Sequence, residues 1–228
     1  MQNNISKNNI PLLHTLVVLI AFPIISTLIS LLLLNRSVIT DFGLDFFNTF
    51  WIIISIWYIL QILIIYKILK FSEWTFSDIG ISLLKRQSLI LIGGYLVVTI
   101  LLLFLIEISL RNAHIDDEKL NTISSLTPKT TTARIIFIFM GLVAGLSEEI
   151  VYRGFAIKSL MSNNINKWLA ILIATIPFIF QHGLKSIDQF SWFMSWGLIF
   201  GILFVIFKKL KILIIIHWIV ILSAMVAI

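Results

Sequence analysis

The chain of 228 residues contains no cysteine. Disulfide bonds, thiolate metal sites and a cysteine nucleophile are therefore excluded. Charged residues are also scarce: they make up 12% of the chain, 59% of the residues are hydrophobic, and the mean hydropathy is +1.05. A soluble domain of this length does not need so much apolar surface, whereas bilayer-spanning segments of about 20 apolar residues do. The composition therefore indicates a membrane protein.

Internal repeats, low-complexity linkers and long clusters of basic residues are absent as well. The formal net charge is +6, but the Lys and Arg residues stand singly or in pairs between apolar runs, as they do at the flanks of membrane spans. This pattern predicts membrane lipid as a partner and argues against nucleic acid as one. The sequence leaves the oligomeric state open.

The apolar runs predict an all-α, polytopic membrane protein with about seven transmembrane helices in one bundle. The predicted spans are about 12–34, 49–69, 88–110, 134–158, 167–183, 190–207 and 212–228. The first run is too long for the apolar core of a signal peptide and no small-residue cleavage site follows it, so we interpret it as a retained span. Within this single membrane domain we distinguish an N-terminal three-helix region, 1–133, from a core, 134–228.

The distribution of basic residues predicts the orientation in the membrane. If the N-terminus is cytoplasmic, eleven of the 17 Lys and Arg residues fall in cytoplasmic segments, as the positive-inside rule requires. The mixed acidic and basic loop 111–133 weakens this bias. We expect a multi-pass protein of the cell membrane with its N-terminus in the cytoplasm and its C-terminus outside.

Two adjacent glutamates, Glu148 and Glu149, interrupt the fourth predicted span. Ionised side chains at membrane depth cost several kcal/mol, so they are rare there and usually functional. Two neighbouring carboxylates also repel each other unless a proton or a cation intervenes. The simpler interpretation is an i,i+4 ion pair between Glu149 and Arg153, with Glu148 hydrated near the membrane surface.

Two histidines lie in later apolar runs, His182 at the end of the fifth predicted span and His217 inside the seventh. A single histidine in a membrane helix is more often a packing residue than a ligand. Here, at roughly 1.5 Å per residue, Glu148 and His182 differ in depth by only about 5 Å, and His217 enters from the same side. The sequence therefore predicts one buried pocket with two carboxylates and two imidazoles. Such a pocket can activate water directly as a general base or hold Zn²⁺ that does so.

The spacing of these residues resembles a known family. Glu148-Glu149-x-x-x-Arg153, then Phe178-x-x-x-His182, then a histidine in the last span, is similar to the three-motif pattern of the CAAX-protease and bacteriocin-processing (CPBP) intramembrane proteases. These are also called the Abi family or type II CAAX prenyl endopeptidases. The resemblance covers about 134–221 and implies an intramembrane endopeptidase, metallo- or glutamate-type, that cleaves peptides or proteins at the membrane. In bacteria the family is associated with pheromone maturation and bacteriocin immunity.

The resemblance implies a catalytic role for each carboxylate and for the arginine. Glu148 would be the base that activates water. Glu149 would support it or help to bind a metal. Arg153 would neutralise and orient the two carboxylates.

It also implies roles for the later motifs. Phe178 would pack against and orient His182, which would position the water or ligate a metal, and His217 would polarise the scissile carbonyl or ligate a metal. If a metal such as Zn²⁺ is bound, its expected ligands are Glu149, His182 and His217. The arginine charge beside the carboxylates reduces the need for a cation, so we favour catalysis without a cofactor.

One position departs from the family pattern. Ile221 stands where the third motif usually has Asn or Asp, a group thought to help form the oxyanion pocket, and loss of one such donor costs on the order of 3 kcal/mol. This departure keeps open a non-catalytic membrane immunity or regulatory scaffold that retains the protease fold. A proton-coupled transporter is a further alternative, but the repeated halves typical of many transporters are missing.

Overall fold

The computed structural model describes residues 9–82, 93–94, 97, 100–101 and 128–223, and every regular element within them is helical. This confirms the predicted all-α membrane bundle. A π-helix, Glu149–Ile157, joins α4 to α5, and a 3₁₀ turn, Leu184–Ile187, precedes α7. The α-helices are α1 (Leu12–Leu34), α2 (Ser37–Thr40), α3 (Phe46–Phe71), α4 (Thr131–Glu148), α5 (Lys158–Ser162), α6 (Lys167–Phe180), α7 (Phe190–Phe207) and α8 (Leu210–Ser223).

Four described helical stretches are long and apolar enough to cross a membrane: α1, α3, the continuous stretch Thr131–Ser162, and α7. They correspond to the first, second, fourth and sixth predicted spans. By contrast, α6 has 14 residues, fewer than the roughly 20 that a full crossing needs, and α8 is described only as far as Ser223. The third predicted span, about 88–110, lies almost entirely outside the described residues, as do the last five residues of the seventh.

Helix α6 ends before the histidine that the sequence placed at the end of its span. Its N-terminus is capped by Asn166, whose side chain accepts a hydrogen bond from the backbone N–H of Trp168 at 2.9 Å. At the other end, Gly183 has φ +79°, a left-handed conformation that glycine adopts at little steric cost. The Ser186 hydroxyl donates to the Gly183 carbonyl at 2.6 Å. His182 therefore lies in a turn inside the bundle.

Helix α8 packs closely on α4 through two glycines of α4 that are one turn apart. A Cβ atom on Gly141 would lie 2.9 Å from Ile221 Cγ2, and one on Gly145 would lie 3.3 Å from the backbone nitrogen of Trp218. The Trp218 indole N–H donates to the Ile138 carbonyl at 3.1 Å, which fixes the register of the pair. Small residues four apart are a common device for close helix contact in membranes. Here they bring the backbone around position 217 against α4.

A second glycine pair joins α6 to α7. A Cβ atom on Gly197 would lie 2.3 Å from Thr175 Cγ2, and one on Gly201 would lie 2.7 Å from Ile171 Cγ2. The polar turn between α6 and α7 is thereby held next to the centre of the bundle.

Substitution of Gly197 by alanine is expected to lower the melting temperature more than the same change at Gly145. Alanine gains up to about 1 kcal/mol of helix propensity over glycine, but overpacking typically costs about 1–3 kcal/mol. At position 197 the new Cβ would meet another side chain at 2.3 Å, whereas the closest atom at position 145 is 3.3 Å away. Thermal unfolding of the two purified variants checks this, and equal melting temperatures would contradict such a tight contact between α6 and α7.

Candidate active site

The two glutamates lie where α4 passes into the π-helix. Glu148 is the last residue of α4 and Glu149 the first of the π-helix, and their exposed fractions are 1% and 0%. Arg153, one turn further along, is also buried. A π-helical segment is rare and frequently marks a functional site. Because Glu148 is buried, it is not the hydrated surface residue of the simpler interpretation.

Glu149 contacts both Arg153 and His217 through one carboxylate oxygen. Its Oε1 lies 3.2 Å from Nη1 of Arg153 and 2.9 Å from Nδ1 of His217. A carboxylate oxygen that contacts a guanidinium accepts hydrogen bonds. Nδ1 of His217 therefore carries a proton, and its Nε2 is turned towards Glu148.

Glu148 lies between the two imidazoles. His182 Nε2 is 3.6 Å from Glu148 Oε1, and His217 Nε2 is 3.5 Å from Glu148 Oε2. These distances exceed those of ordinary hydrogen bonds. Glu148 Oε2 has no hydrogen-bond partner among the described residues, whereas Oε1 accepts one from the Tyr58 hydroxyl at 2.5 Å.

The orientation of His182 is set by the backbone one turn before it. Its Nδ1 lies 3.0 Å from the carbonyl oxygen of Phe178. Because a carbonyl only accepts, Nδ1 carries the proton and Nε2 of the neutral ring presents a lone pair to Glu148. The ring also stacks on Phe193, with the centroids 4.1 Å apart.

Aromatic rings enclose the arginine. The guanidinium carbon of Arg153 lies 4.0 Å from the ring centroid of Phe178 and 5.7 Å from that of Phe200. Such cation–π contacts gain strength when the cation is removed from water. Phe178 therefore contacts Arg153 with its ring and His182 with its carbonyl.

Two cavities of about 430 Å³ each meet at this site. The one that contains Glu148 and His217, here called the reaction cavity, is otherwise mainly apolar and aromatic. The other, here called the side cavity, includes the serines Ser26, Ser30 and Ser186. The two share a wall formed by Trp51, Tyr58, His182, Gln189 and Phe193.

Ile221 lies on the wall of the reaction cavity, in the place where the family pattern has an amide or a carboxylate. Its side chain packs against Gly141 and supplies no hydrogen-bond donor. The residue that departs from the family pattern therefore lines the site.

The predicted metal ligands do not surround one point. Glu149 Oε1 and His217 Nδ1 are 2.9 Å apart, closer than the roughly 3.3 Å between two ligands of a tetrahedral zinc ion with bonds of 2.0–2.1 Å. The described residues contain no group of three or more His, Asp or Glu side chains suited to a metal ion. The residues do not fit such a site, and we derive no step through a metal.

The structure brings together the carboxylates, the arginine and the imidazoles that the sequence singled out. Their roles remain predictions. The sequence analysis missed Tyr58, which comes from α3, and the π-helical conformation of 149–157. Polar Gln61 in the middle of the apolar span that contains Tyr58 was the signal that could have pointed to α3.

The comparisons with known proteins agree with the resemblance. Residues 130–222 match the family model described as Rce1-like, type II CAAX prenyl endopeptidase. No curated protein and no solved structure matches the chain significantly. Since the family is one of endopeptidases and the chain has several apolar helices, the match indicates a membrane protease. The match confirms the resemblance of the core motifs, and residues 130–222 carry an Rce1-like domain of the type II CAAX prenyl endopeptidase family.

Proposed function

We propose that the chain is an intramembrane endopeptidase that hydrolyses peptide bonds of membrane-associated peptides or proteins by carboxylate and histidine activation of water. The observation that carries this proposal is the position of Glu148. Its buried carboxylate lies within 3.6 Å of the Nε2 atoms of His182 and His217. A buried base with two adjacent imidazoles suits proton transfer to and from water.

The first step is activation of water by Glu148 and His182. Because Nδ1 of His182 is bonded to the Phe178 carbonyl, its Nε2 accepts a hydrogen bond from the water. Glu148 takes a proton from that water as the oxygen attacks the carbonyl carbon of the scissile bond. The carbonyl electron pair moves to oxygen, which becomes the oxyanion of a tetrahedral intermediate.

The second step needs a donor for that oxyanion, and we assign this role to His217. Its Nδ1 is bonded to Glu149, its Nε2 lies 3.5 Å from Glu148 Oε2, and the residue lines the reaction cavity. This step uses His217 with a proton on both ring nitrogens, the Nδ1–H being bonded to Glu149. Nε2–H then donates to the oxyanion. As the intermediate collapses, the C–N bond breaks and Glu148 returns its proton to the leaving amine.

The two cavities suggest how a substrate is held. An extended peptide can lie with its scissile bond beside His182, which lines both the reaction cavity and the side cavity. The reaction cavity favours apolar side chains, because aromatic residues such as Trp196 and Phe200 line it.

Replacement of Glu148 by glutamine is expected to abolish cleavage, because an amide cannot accept the proton from water. General acid–base catalysis contributes about 10²–10⁴-fold, so kcat should fall by at least about 100-fold. The measurement is mass spectrometry of new peptide termini after incubation of the purified full chain, in lipid nanodiscs, with a synthetic peptide library.

The matched control is Glu73→Gln, because Glu73 is an exposed glutamate outside the site and its replacement should leave cleavage unchanged. Arg153→Ala is expected to reduce both activity and folded protein, since it leaves a buried charge unpaired. A catalytically inert wild type that folds like Glu148→Gln would favour the immunity or regulatory scaffold, which the isoleucine at position 221 already suggests.

Catalysis is expected to be independent of a bound metal. The Arg153 guanidinium already neutralises one carboxylate, and Glu149 Oε1 is engaged by both Arg153 and His217. Activity should therefore persist through a chelator titration, and metal analysis of the purified protein should find less than one zinc per chain. Stoichiometric zinc that is lost and restored in parallel with activity would refute this expectation.

We also propose the orientation with the N-terminus in the cytoplasm and the C-terminus outside, on the strength of the Lys and Arg distribution. A reporter that is active only in the cytoplasm should work when inserted in the turn Lys208–Lys209, between α7 and α8. The same reporter should be silent at the C-terminus. A silent insertion in the turn together with an active C-terminal fusion would reverse the orientation.

A further inference from the structure

Tyr58 contributes a hydrogen bond to the site from outside the family core. It lies on α3, whereas the family match begins at residue 130. Its hydroxyl donates to Glu148 Oε1 at 2.5 Å, and its exposed fraction is only 8%. A hydroxyl that donates to a carboxylate at this distance is a charge-assisted hydrogen bond, the stronger kind.

A second hydrogen bond between the same two helices fixes the position of the tyrosine. The Ser147 hydroxyl donates to Gln61 Oε1 at 2.9 Å, so consecutive residues of α4 are bound by residues three apart on α3. In addition, the indole N–H of Trp57 donates to the Ser26 hydroxyl at 2.7 Å, which ties α3 to α1. Tyr58 belongs to one buried apolar cluster with Phe137, Met140 and Ala144 of α4.

Glu148 needs such a donor because its neighbours leave it without one. The Arg153 guanidinium contacts Glu149 at 3.2 Å, and both imidazole Nε2 atoms are 3.5 Å or more from Glu148. A buried carboxylate without a hydrogen bond is costly. A neutral tyrosine stabilises the charge and leaves it negative, which a general base requires.

We propose that Tyr58 is a positioning residue of the site: its hydroxyl holds Oε1 of Glu148, so that Oε2 faces the reaction cavity and takes the proton from water. The inference rests on the proposed endopeptidase function. It makes α3 a necessary part of the catalytic apparatus, and it means that the core 130–222 is incomplete without the N-terminal helices.

The test compares Tyr58→Phe with the wild-type full chain in the peptide cleavage assay. We expect kcat to fall about 10- to 100-fold, since misplacing a reacting group by roughly 1 Å costs about 100-fold, while KM stays unchanged. The titratable and charged groups of the described residues that surround Glu148 are Glu149, Tyr152, Arg153, His182 and His217, and all of them are unchanged in this variant.

Two other tyrosines supply matched controls. Tyr152 is also buried, but its hydroxyl donates to Gln181 Oε1 at 2.8 Å, so Tyr152→Phe should lower kcat less than Tyr58→Phe does. Tyr66 lies on α3 too, is 48% exposed and stacks on Phe76, so Tyr66→Phe should behave like the wild type. An equal loss of kcat in Tyr58→Phe and Tyr152→Phe would reduce Tyr58 to a packing residue and overturn the inference.

Failure of the inference and failure of the proposed function give different results. If the wild type cleaves and Tyr58→Phe is as fast, only the inference fails; if the wild type cleaves nothing, the proposed function fails and the inference with it. A double-mutant cycle of Tyr58→Phe and Glu148→Ala, each of which removes the hydrogen bond, adds a readout independent of activity. Non-additive shifts in melting temperature support the hydrogen bond, and additive shifts overturn it.

Discussion

The ion pair between Glu149 and Arg153 orients the rest of the site. Glu149 bonds His217 directly, through Nδ1. Arg153 lies over the ring of Phe178, and the carbonyl of Phe178 bonds Nδ1 of His182. This buried pair therefore orients both imidazoles towards Glu148: His217 through a direct bond and His182 through Phe178. Breaking such a pair by removing one partner typically costs about 3–5 kcal/mol, so its removal disturbs both the fold and the geometry around Glu148.

Close helix packing makes this network possible. The imidazole of His217 reaches Glu149 because α8 lies against α4 at Gly141 and Gly145, where larger residues would keep the helices apart. On the other side of the site, Gly197 and Gly201 bring α7 against α6. The rings of α7 that pack around the site, including those of Phe193 and Phe200, depend on that contact. In each of the two helix pairs the close contact is made by two glycines that are four residues apart, and one helix pair lies on each side of the site.

The helical fold and most residues of the candidate site could be predicted, because each leaves a pattern that can be recognised along the sequence. Apolar runs gave the helices, and ionisable residues at membrane depth drew attention to Glu148, Glu149, His182 and His217, since such residues are rare there. The π-helix could not be predicted, because its i→i+5 hydrogen bonds leave no distinct periodicity in nine residues. Tyr58 was missed for a different reason: a tyrosine in an apolar helix is ordinary, and its significance comes from the carboxylate that tertiary packing places beside it.

The incomplete crossing of α6 connects the fold to the requirement for water. Irregular backbone at membrane depth is tolerated only where protein buries it or where it lines a water-filled cavity. The turn after α6, with Gln181, His182 and Gly183, lines the side cavity, and His182 also lines the reaction cavity. A helix that continued through the membrane would make all its backbone hydrogen bonds internally. It would then present an apolar surface at this depth. By ending early, α6 places an imidazole beside Glu148 and supplies the polar surface that can admit water to a carboxylate buried in the bundle.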